Sequence, residues 1–495
     1  MDKQQKSKLI NNILQTCLFS EYLPPEFNTT GLTDLCFTEP LPIDSNAPIT
    51  FSMDKYNDYG NRRFISIPSI VTFIDAVLSL SDDTILANLI DQNKKDSHTL
   101  SKIVNTKYEI KQFSEGYNFS IDTSQTITKI ETPKDFQTNL NTKIERSKGC
   151  TCILHLDISN FFASIYTHNI TTLLDGEVWA NGQYHAANPT HKYKVLKNLD
   201  IKIAAMNQKR THGLLVGPRI SFLIAESLLT RIDYELAEQL ESKSIDFVRY
   251  VDDYDVFIKN ENQIAIVKNI FNQTLQRYGL LLNDSKTKIE HFPFYAYADF
   301  NSYDAEDLDL VDLYAKFAGI EKSGLQNGAL LYFCQNILSR YTTSYLALSL
   351  SFSILKNMPK AVMSCCKNIA NIEINSANNL EIECMLDEML YEVVEQKKDL
   401  ESIWILYTLL KMFPDHEIKL EKLNEICLVV YLYESNIKDF DQLKIHAQKS
   451  QWLLNYELFF NDIISKDEFA QNVRMDNVNY YSWLKKNGIN FYRKV

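Results

Sequence analysis

The feature of this sequence that most limits its folding is a pair of adjacent carboxylates between two apolar, strand-like runs. Asp252 and Asp253 separate the run 246–251 from the run 255–258. Like charges a few ångströms apart repel and raise each other's pKa, so two carboxylates at the tip of a strand hairpin are costly. A divalent cation removes that cost, and the pair therefore predicts a metal site.

A third carboxylate, Asp157, follows the apolar run 150–156, which predicts a buried strand. Three acids at strand ends fit a two-metal site, in which ions about 3.5–4 Å apart activate an attacking oxygen and stabilise a leaving oxygen. This is the chemistry of nucleotidyl transfer. We expect Asp157 and Asp252 to share Mg²⁺ or Mn²⁺, with Asp253 in a weaker or outer role and Asp255 as a bystander. The alternative, a loop acid or helix cap, must explain all three acids.

Length and composition indicate more than one domain. A chain of 495 residues is too long for one average domain, and 45% hydrophobic with 12% aromatic residues allow large buried cores. Only 13 Gly and 12 Pro argue against a sandwich of short strands and for many helices. The net charge of −12 argues against a surface that grips long nucleic-acid duplexes.

One basic stretch, residues 192–210, departs from this acidic balance. Its lysines and arginines face only one acid, Asp200. Two interpretations stay open, a solvated loop and helix face or a local phosphate contact near the carboxylates.

The cysteine pattern and the apolar runs indicate a protein of a reducing compartment without a membrane partner. The close cysteine pairs, Cys150/Cys152 and Cys365/Cys366, lack a second pair at zinc-ribbon spacing. Residues 1–18 are too polar for a signal peptide. No run approaches the roughly 18 apolar residues of a membrane span. We expect a cytoplasmic location.

The order of the periodic segments predicts a small antiparallel sheet backed by helices. The predicted helices are 70–80, 160–174, 221–240 and 262–278. The predicted strands, besides the hairpin at the two acids, are 150–156 and 280–282, and residues 106–135 predict short strands or a hairpin. Strand, helix, hairpin, helix and strand in this order are the pattern of a ferredoxin-like palm in an α+β fold.

From about residue 305 the sequence changes to helical patterns separated by short polar connectors. They cover 329–339, 344–355, 360–370, 383–394, 401–411, 423–433 and 441–454. Antiparallel helix pairs stacked as a loose, HEAT-like solenoid fit best, and an irregular bundle is the alternative. We therefore expect a catalytic domain, residues 1–300, and an α-helical repeat domain, residues 301–495.

Phe162 stands five residues after Asp157, where a bulky ring would lie under the sugar of an incoming nucleotide. Such a ring would clash with a 2′-hydroxyl, the group that separates RNA from DNA precursors. The alternative is that Phe161 and Phe162 are both core residues of a helix. The neighbouring helix start favours Phe162 as the exposed ring.

Several residues are candidates for contacts with phosphate. Gly213 and Gly217 bracket a loop before a helix; glycine allows close backbone approach and a helix start favours anions, although two glycines alone are a weak signal. Lys286 would neutralise or protonate departing pyrophosphate, unless it faces solvent. Arg62 and Arg63 would clamp a triphosphate with bidentate geometry, or form salt bridges instead.

Four of these segments, in this order, resemble the motifs of reverse transcriptases. The resemblance is to motif A at residues 156–162, motif B at 213–221, motif C at 250–253 and motif D at 282–287. It covers about residues 60–295 and implies reverse-transcriptase-like fingers and palm, divalent metal, dNTP substrates and a place for Tyr250 at the nucleotide.

The run Arg-x-x-x-x-Pro at residues 63–68 and the helical C-terminal half resemble the abortive-infection (Abi) group of bacteria and prophages, which includes AbiK and AbiA. That resemblance implies phage defence, a helical-repeat domain in place of a thumb, and homo-oligomers. It also implies untemplated DNA synthesis primed from a protein hydroxyl, with single-stranded DNA product attached covalently to the protein. An acidic chain agrees with an enzyme that does not grip a template–primer duplex.

Two alternatives stay open. Templated synthesis on RNA, as in retron- or intron-type enzymes, is the first, although no zinc-binding or endonuclease pattern follows the palm. The second is a helical scaffold with an inactive palm. The intact acidic trio disfavours it, because an inactive site has no need of three uncompensated carboxylates.

Overall fold

The computed structural model describes residues 3–32, 46–55, 58–82, 85–103, 119–122, 125–127, 133–294, 308–323, 328–373, 379–473 and 478–494. Within these ranges the fold mixes helices and sheets and is mostly helical. The strands are β1 Ile49–Lys55, β2 Asp58–Ile67, β3 Phe119–Asp122, β4 Gln125–Ile127, β5 Cys152–Asp157, β6 Asp246–Tyr250, β7 Asp253–Ile258 and β8 Lys288–His291.

The helices of these ranges are α1 Lys3–Thr16, α2 Ile70–Ser79, α3 Leu86–Lys95, α4 Pro133–Arg146, α5 Phe161–Ser164, α6 Gly176–Tyr184, α7 His191–Met206, α8 Arg219–Glu241, α9 Ile264–Arg277, α10 Leu310–Ser323, α11 Ala329–Tyr332, α12 Tyr345–Asn357, α13 Val362–Ala370, α14 Asn379–Glu395, α15 Asp399–Met412, α16 Glu425–Glu434, α17 Phe440–Ala447, α18 Leu453–Phe460, α19 Lys466–Asn472 and α20 Val478–Lys486. Across the described part of the chain, none of them combines the length and apolarity of a membrane-crossing helix.

The chain forms two compact units. The first comprises Met1–Ser20, Asn28–Pro48 and Ser66–Tyr295, and the second comprises Glu21–Phe27, Ile49–Ile65 and Ala296–Val495. Two N-terminal segments therefore belong to the second unit together with the C-terminal residues. The predicted domain boundary between residues 300 and 301 stays a prediction.

A four-stranded antiparallel sheet lies in the first unit, with the strand order β6-β7-β5-β8. β5 pairs with β7 so that Asp157 lies opposite Asp253, and with β8 so that His155 lies opposite Lys288. β6 pairs with β7 so that Tyr250 also lies opposite Asp253. The small antiparallel sheet that the sequence predicts is therefore present, with the ends of three strands at one edge.

One face of this sheet is covered by helices α8 and α9. The rings of Phe247, Tyr254 and Phe271 are buried there, with centroids 5.1–6.1 Å apart. The hydroxyl of Tyr254 donates to Asp233 of α8 at 3.0 Å. Because side chains alternate along a strand, Asp253 points to the opposite face, away from these helices.

Three predicted helices of the first unit, α2, α8 and α9, are confirmed. The predicted helix at 160–174 is wrong, because the chain leaves the short helix α5 and is extended at Ile165, with ψ of 120°. The main chain pairs there with another loop. The N–H of Thr167 donates to Thr211 at 2.8 Å, and the N–H of Gly213 donates to Ile165 at 2.9 Å.

The predicted strand at 280–282 is also wrong. Leu282 forms an isolated bridge with Ile158, and the strand beside β5 is β8. A turn separates Leu282 from β8, because the carbonyl of Asn283 accepts the N–H of Lys286 at 3.1 Å.

The predicted strand pair within residues 106–135 is partly described. β3 and β4 form an antiparallel hairpin, in which Phe119 lies opposite Ile127. The other residues of that range up to 132 lie outside the described residues.

The second unit is built of helices around α15. Every residue from Leu400 to Leu410 is buried, and α15 packs against α13, α14 and α16. A surface helix buries only one stripe of side chains, so burial all round places α15 at the centre of this unit. The predicted helical character of the C-terminal residues is confirmed, and their stacking as HEAT-like repeats stays a prediction.

The predicted helix at 441–454 is wrong, because two helices, α17 and α18, occupy this part of the chain. The carboxylate of Glu425 accepts the N–H groups of Gln451 and Leu454 at 2.8 and 3.0 Å. The first N–H groups of a helix have no partner within the helix, so this carboxylate caps α18 and separates it from α17.

Side chains of α15 hold both N-terminal segments of the second unit. The indole N–H of Trp404 donates to the carbonyl of Tyr22 at 2.7 Å. The carboxylate of Asp399 accepts the N–H and the hydroxyl of Ser52 at 2.9 and 2.8 Å. These residues are more than 340 positions apart in the sequence, so the second unit depends on long-range contacts.

Candidate active site

The three acids predicted as metal ligands lie where β5 meets the hairpin of β6 and β7. Asp157 ends β5 and Asp253 begins β7, directly opposite each other. Asp252 precedes Asp253 in the hairpin turn, and its carbonyl accepts the N–H of Ile158 at 3.3 Å. Opposed residues of antiparallel strands have Cβ atoms about 4.5–5.5 Å apart, so the side chains of Asp157 and Asp253 share a small space.

The buried carboxylate of Asp157 is held by the loop after α9. Its Oδ2 accepts from Nδ2 of Asn283 at 3.1 Å, and its Oδ1 lies 3.0 Å from Nζ of Lys286. The N–H of Asn283 also donates to the carbonyl of Asp157 at 2.8 Å. The structure thus brings the predicted residue Lys286 to the carboxylates and adds Asn283, whose sequence signals are its position in a polar turn and in the segment that resembles motif D.

Burial of the carboxyl group, together with the crowding of negative charge, raises the pKa of Asp253 to about 7. Loss of hydration is the largest cause, followed by the charges of Asp252 and Asp157. Much of the residue is exposed, whereas its carboxyl group faces Asp157. Partial burial lowers the pKa of Lys286, but the hydrogen bond to Asp157 and the charges of the three acids outweigh it and raise that pKa.

The donor set suits a hard divalent cation, which prefers carboxylate oxygens. The repulsion that raises the pKa of Asp253 is the cost that such an ion would remove. Among the described residues, however, no three His, Cys, Asp or Glu side chains are arranged to hold a metal ion, and Nζ of Lys286 contacts Oδ1 of Asp157. The chemistry therefore fits, and ligation of Mg²⁺ or Mn²⁺ by the three acids stays a prediction.

The aromatic residues predicted near the nucleotide lie next to the acids along the chain. Phe161 is buried and Phe162 is half-buried, with ring centroids 5.4 Å apart. The carbonyl of Phe162 accepts the N–H of Leu214 at 2.8 Å. Phe162 therefore lies beside the predicted glycine loop. Tyr250 ends β6 and is half-buried opposite Asp253.

Gly213 and Gly217 both adopt positive φ, 90° and 129°. A Cβ on Gly213 would lie 3.3 Å from the carbonyl oxygen of Ala163. The N–H of Ser66 donates to the carbonyl of Val216 at 2.7 Å, which ties the loop to the end of β2. Glycine is required here for conformation and for the close approach of the segment that follows Asp157.

Asp255 lies on the same strand as Asp253 and has side-chain partners of its own. Its carboxylate lies 2.7 Å from Nδ1 of His155 and from Nζ of Lys143, and Nε2 of His155 lies 2.9 Å from Glu290. Burial raises the pKa of Asp255, but the bonds to His155 and Lys143 outweigh it and lower that pKa. This local network accounts for Asp255 without a metal ion.

The predicted phosphate-binding residues Arg62 and Arg63 belong to the second unit. The guanidinium of Arg62 contacts Asp54 at 2.7 Å, Glu401 at 2.8 Å and Ser52 at 3.0 Å. Burial lowers the pKa of Arg62, but Glu401 and then Asp54 outweigh it and raise that pKa. These contacts favour the salt-bridge alternative for Arg62. Arg63 is exposed, and its nucleotide contact stays a prediction.

The basic stretch 192–210 forms helix α7 and the turn after it. Three of its lysines form ion pairs at 2.6–2.7 Å, Lys192 with Asp175, Lys197 with Asp200 and Lys202 with Asp75. Lys209 and Arg210 are exposed in the turn before the glycine loop. The interpretation as a solvated helix face fits the paired lysines. For Lys209 and Arg210 the alternative interpretation, a local phosphate contact, stays a prediction.

One known protein family matches this sequence. A family profile described as reverse transcriptase (RNA-dependent DNA polymerase) matches residues 92–346, more than half of the 495 residues. The chain belongs to the reverse transcriptase family. The predicted reverse transcriptase resemblance is confirmed, and it implies a nucleotidyltransferase; membership of the Abi group stays a prediction.

Solved telomerases show a weak likeness to this reverse transcriptase. Telomerase from Candida albicans in complex with a TWJ fragment of telomeric RNA is 13% identical, with a TM-score of 0.33, over 82% of this chain and 68% of its own. Apo telomerase from Candida tropicalis is 12% identical, with a TM-score of 0.35, over 76% and 66%. The chain thus spans about two thirds of these telomerases, and no curated protein sequence matches it.

We expect Gly213→Ala to destabilise the protein by about 1–2 kcal/mol, because an L-residue enters the left-handed region at roughly that cost. The new Cβ would also press on the carbonyl of Ala163. Gly182→Ala is the matched control, since nothing lies within 4 Å of an added Cβ there and alanine favours a helix. Chemical unfolding measures both variants; equal stability of Gly213→Ala and the parent would contradict the role of this glycine.

Proposed function

We propose that this protein is a DNA polymerase of the reverse transcriptase type, which joins dNTPs at Asp157, Asp252 and Asp253 by two-metal nucleotidyl transfer. The observation that carries the proposal is the pairing of Asp157 with Asp253, next to Asp252, in a member of the reverse transcriptase family. The raised pKa of Asp253 supports it, because the charges of Asp252 and Asp157 contribute to it after burial, and a divalent ion would relieve that repulsion.

Bound Mg²⁺ or Mn²⁺ would activate the attacking oxygen and stabilise the charge on the leaving oxygen. The chain's own residues prepare this step. Asn283 fixes Asp157 through side-chain and main-chain hydrogen bonds. Lys286 holds a proton beside the acids, where it would neutralise or protonate departing pyrophosphate.

We assign the sugar contact to Phe162, a half-buried residue whose carbonyl accepts the N–H of Leu214 in the glycine loop. A ring at this place would exclude a 2′-hydroxyl and favour dNTPs. Tyr250, Gly213 and Gly217 would line the same nucleotide.

Synthesis is proposed to be untemplated and primed from a protein hydroxyl. That hydroxyl attacks the α-phosphorus of the first dNTP, forms a phosphodiester to the protein and releases pyrophosphate. The net charge of −12 supports this, because an acidic chain is poorly suited to hold a long template–primer duplex. Lys209 and Arg210 would contact phosphates of the single-stranded product locally.

The biological role proposed is abortive-infection defence against phage in the cytoplasm. The second unit would act as a platform of HEAT-like helix pairs for homo-oligomer assembly or for guiding the product. Its central helix α15 is buried all round, and its described residues include no cluster of metal-ligating side chains. A structural platform therefore fits this unit better than a second catalytic site.

Synthesis templated by RNA is the second candidate function, because the matching family is described as RNA-dependent DNA polymerase. A helical scaffold with an inactive palm is the alternative of another class. The close approach of Asp157 and Asp253 disfavours it.

Asp252→Asn should abolish metal-dependent incorporation of labelled dNTPs without unfolding the protein, because the amide keeps the size of the side chain and removes its charge. Purified protein with dNTPs and Mg²⁺ gives the readout, and circular dichroism checks the fold. Asp246→Asn, at the other end of the same hairpin where Asp246 pairs with Arg146, should retain incorporation. Full incorporation by folded Asp252→Asn would contradict the proposal. A parent without incorporation would favour the helical scaffold with an inactive palm.

Phe162→Ala should raise the use of ribonucleotides relative to deoxynucleotides by about tenfold, since an opened pocket admits the 2′-hydroxyl. Incorporation of matched rNTP and dNTP pairs measures the ratio. Phe292→Ala, which removes an exposed ring, is the control. If Phe162→Ala discriminates as the parent does, the sugar contact lies elsewhere, with Phe161 the next candidate.

The DNA product should remain attached to the polypeptide when the protein is incubated with dNTPs and Mg²⁺ without nucleic acid. On a denaturing gel the labelled product should migrate with the protein and be released by protease. Its sequence should not change when an RNA is added. Product that migrates free of protein, or that copies the added RNA, would contradict this prediction and favour synthesis templated by RNA.

A further inference from the structure

The hairpin turn that carries Asp252 contains a strained residue. Val251 has a φ of 52°, in the left-handed region that β-branched residues rarely enter. Such a conformation persists only where the surroundings hold it. The groups that hold Val251 therefore set the direction in which Asp252 and Asp253 leave the turn.

Two side chains hold the backbone polar groups of Val251. Its N–H donates to Oγ of Ser101 at 3.0 Å. Its carbonyl accepts from Nη1 of Arg249 at 2.9 Å. That carbonyl belongs to the peptide that leads into Asp252, so both sides of the strained residue are fixed.

Arg249 is itself held in place from two directions. Its fully buried guanidinium contacts Glu226 at 2.8 Å and Asp233 at 2.7 Å, two fully buried acids of α8. Its main chain pairs with residues 98–100, the edge segment. The N–H of Arg249 donates to the carbonyl of His98 at 2.9 Å, and the carbonyl of Arg249 accepts the N–H of Leu100 at 2.7 Å. A buried cation between two acids resists displacement, because movement would leave uncompensated charge.

Ser101 belongs to the same cluster. Its hydroxyl donates to Oε2 of Glu226 at 3.0 Å. A hydroxyl has one proton to donate, so this bond leaves the oxygen free to accept the N–H of Val251. Glu226 also accepts the hydroxyl of Thr99 at 2.9 Å, and α8, the edge segment and the turn are thereby joined at one carboxylate.

We propose that Ser101, Arg249 and Glu226 are positioning residues that keep Val251 in its left-handed conformation and so direct the hairpin acids toward the metal ions. The role rests on the proposed function, because the cluster acts through the acids. Ser101 stands 150 residues before Val251 in the sequence, and only the structure brings the two together.

Ser101→Ala tests this role, because it removes the hydroxyl that fixes Val251 and leaves the ion pairs of Arg249. Mn²⁺ binding to the purified full-length protein, followed by electron paramagnetic resonance without nucleotide, should weaken by about tenfold, because among the hydrogen bonds lost with the hydroxyl is the one that fixes Val251. Ser227→Ala is the matched control. It removes another buried serine hydroxyl of the same unit, which donates to the carbonyl of Leu223 within α8, without touching the turn, and it should bind Mn²⁺ as the parent does.

A second variant separates positioning from general stability. Glycine adopts positive φ freely, so Val251→Gly combined with Ser101→Ala should recover most of the Mn²⁺ affinity. Incorporation of dNTPs by Ser101→Ala should likewise return to the parent rate when Mn²⁺ is raised about tenfold. A purely structural defect would not respond to metal concentration.

Unchanged Mn²⁺ affinity in Ser101→Ala, or an equal loss in Ser227→Ala, would overturn the positioning role. If the parent and the variants show the expected Mn²⁺ affinities but the parent incorporates no dNTP, the polymerase proposal is overturned and the positioning role is supported. A parent that binds no Mn²⁺ would overturn both.

Discussion

The candidate site depends above all on the antiparallel register of β5 and β7. This register sets Asp157 opposite Asp253. A slip by one residue would turn Asp253 to the helix-covered face and bring Tyr254 to the acids. Aromatic packing opposes that slip, because Tyr254 and Phe247 contact the ring of Phe271 on the covered face. Apolar burial on one face of the sheet thus fixes the electrostatics on the other.

Charge in the first unit is compensated in two different ways. Arg249 is neutralised in place by two buried acids, and removing one partner of such a buried pair typically costs about 3–5 kcal/mol. The side chain of Lys286, by contrast, is largely exposed where it meets the buried carboxylate of Asp157. A metal ion at this carboxylate would replace the charge of Lys286, so that the lysine could leave without uncovering an unpaired buried charge. The first arrangement is fixed, whereas the second would allow one cation to be exchanged for another.

Sequence patterns predict the parts of the site that are local in the chain. The adjacent acids at a strand turn and the long helix α8 follow from periodicity over a few residues. The helix predicted at 160–174 fails because main-chain hydrogen bonds to a distant loop outweigh its apolar spacing. Asn283 and Ser101 escape prediction for the same reason, since their partners Asp157 and Val251 are 126 and 150 residues away. Tertiary contacts, which no single segment encodes, decide these positions.

The course of the chain through the second unit limits how this protein can be divided into independent domains. Side chains of α15 bind Tyr22 and Ser52, and the ring of Phe27 packs edge-on against Tyr492 with centroids 4.9 Å apart. Helices transferred without these N-terminal segments would lose partners for buried polar groups and uncover apolar side chains. The helical part is therefore not a portable module, and domain shuffling that joined it to another polymerase would have to carry two short pieces from the other end of the gene.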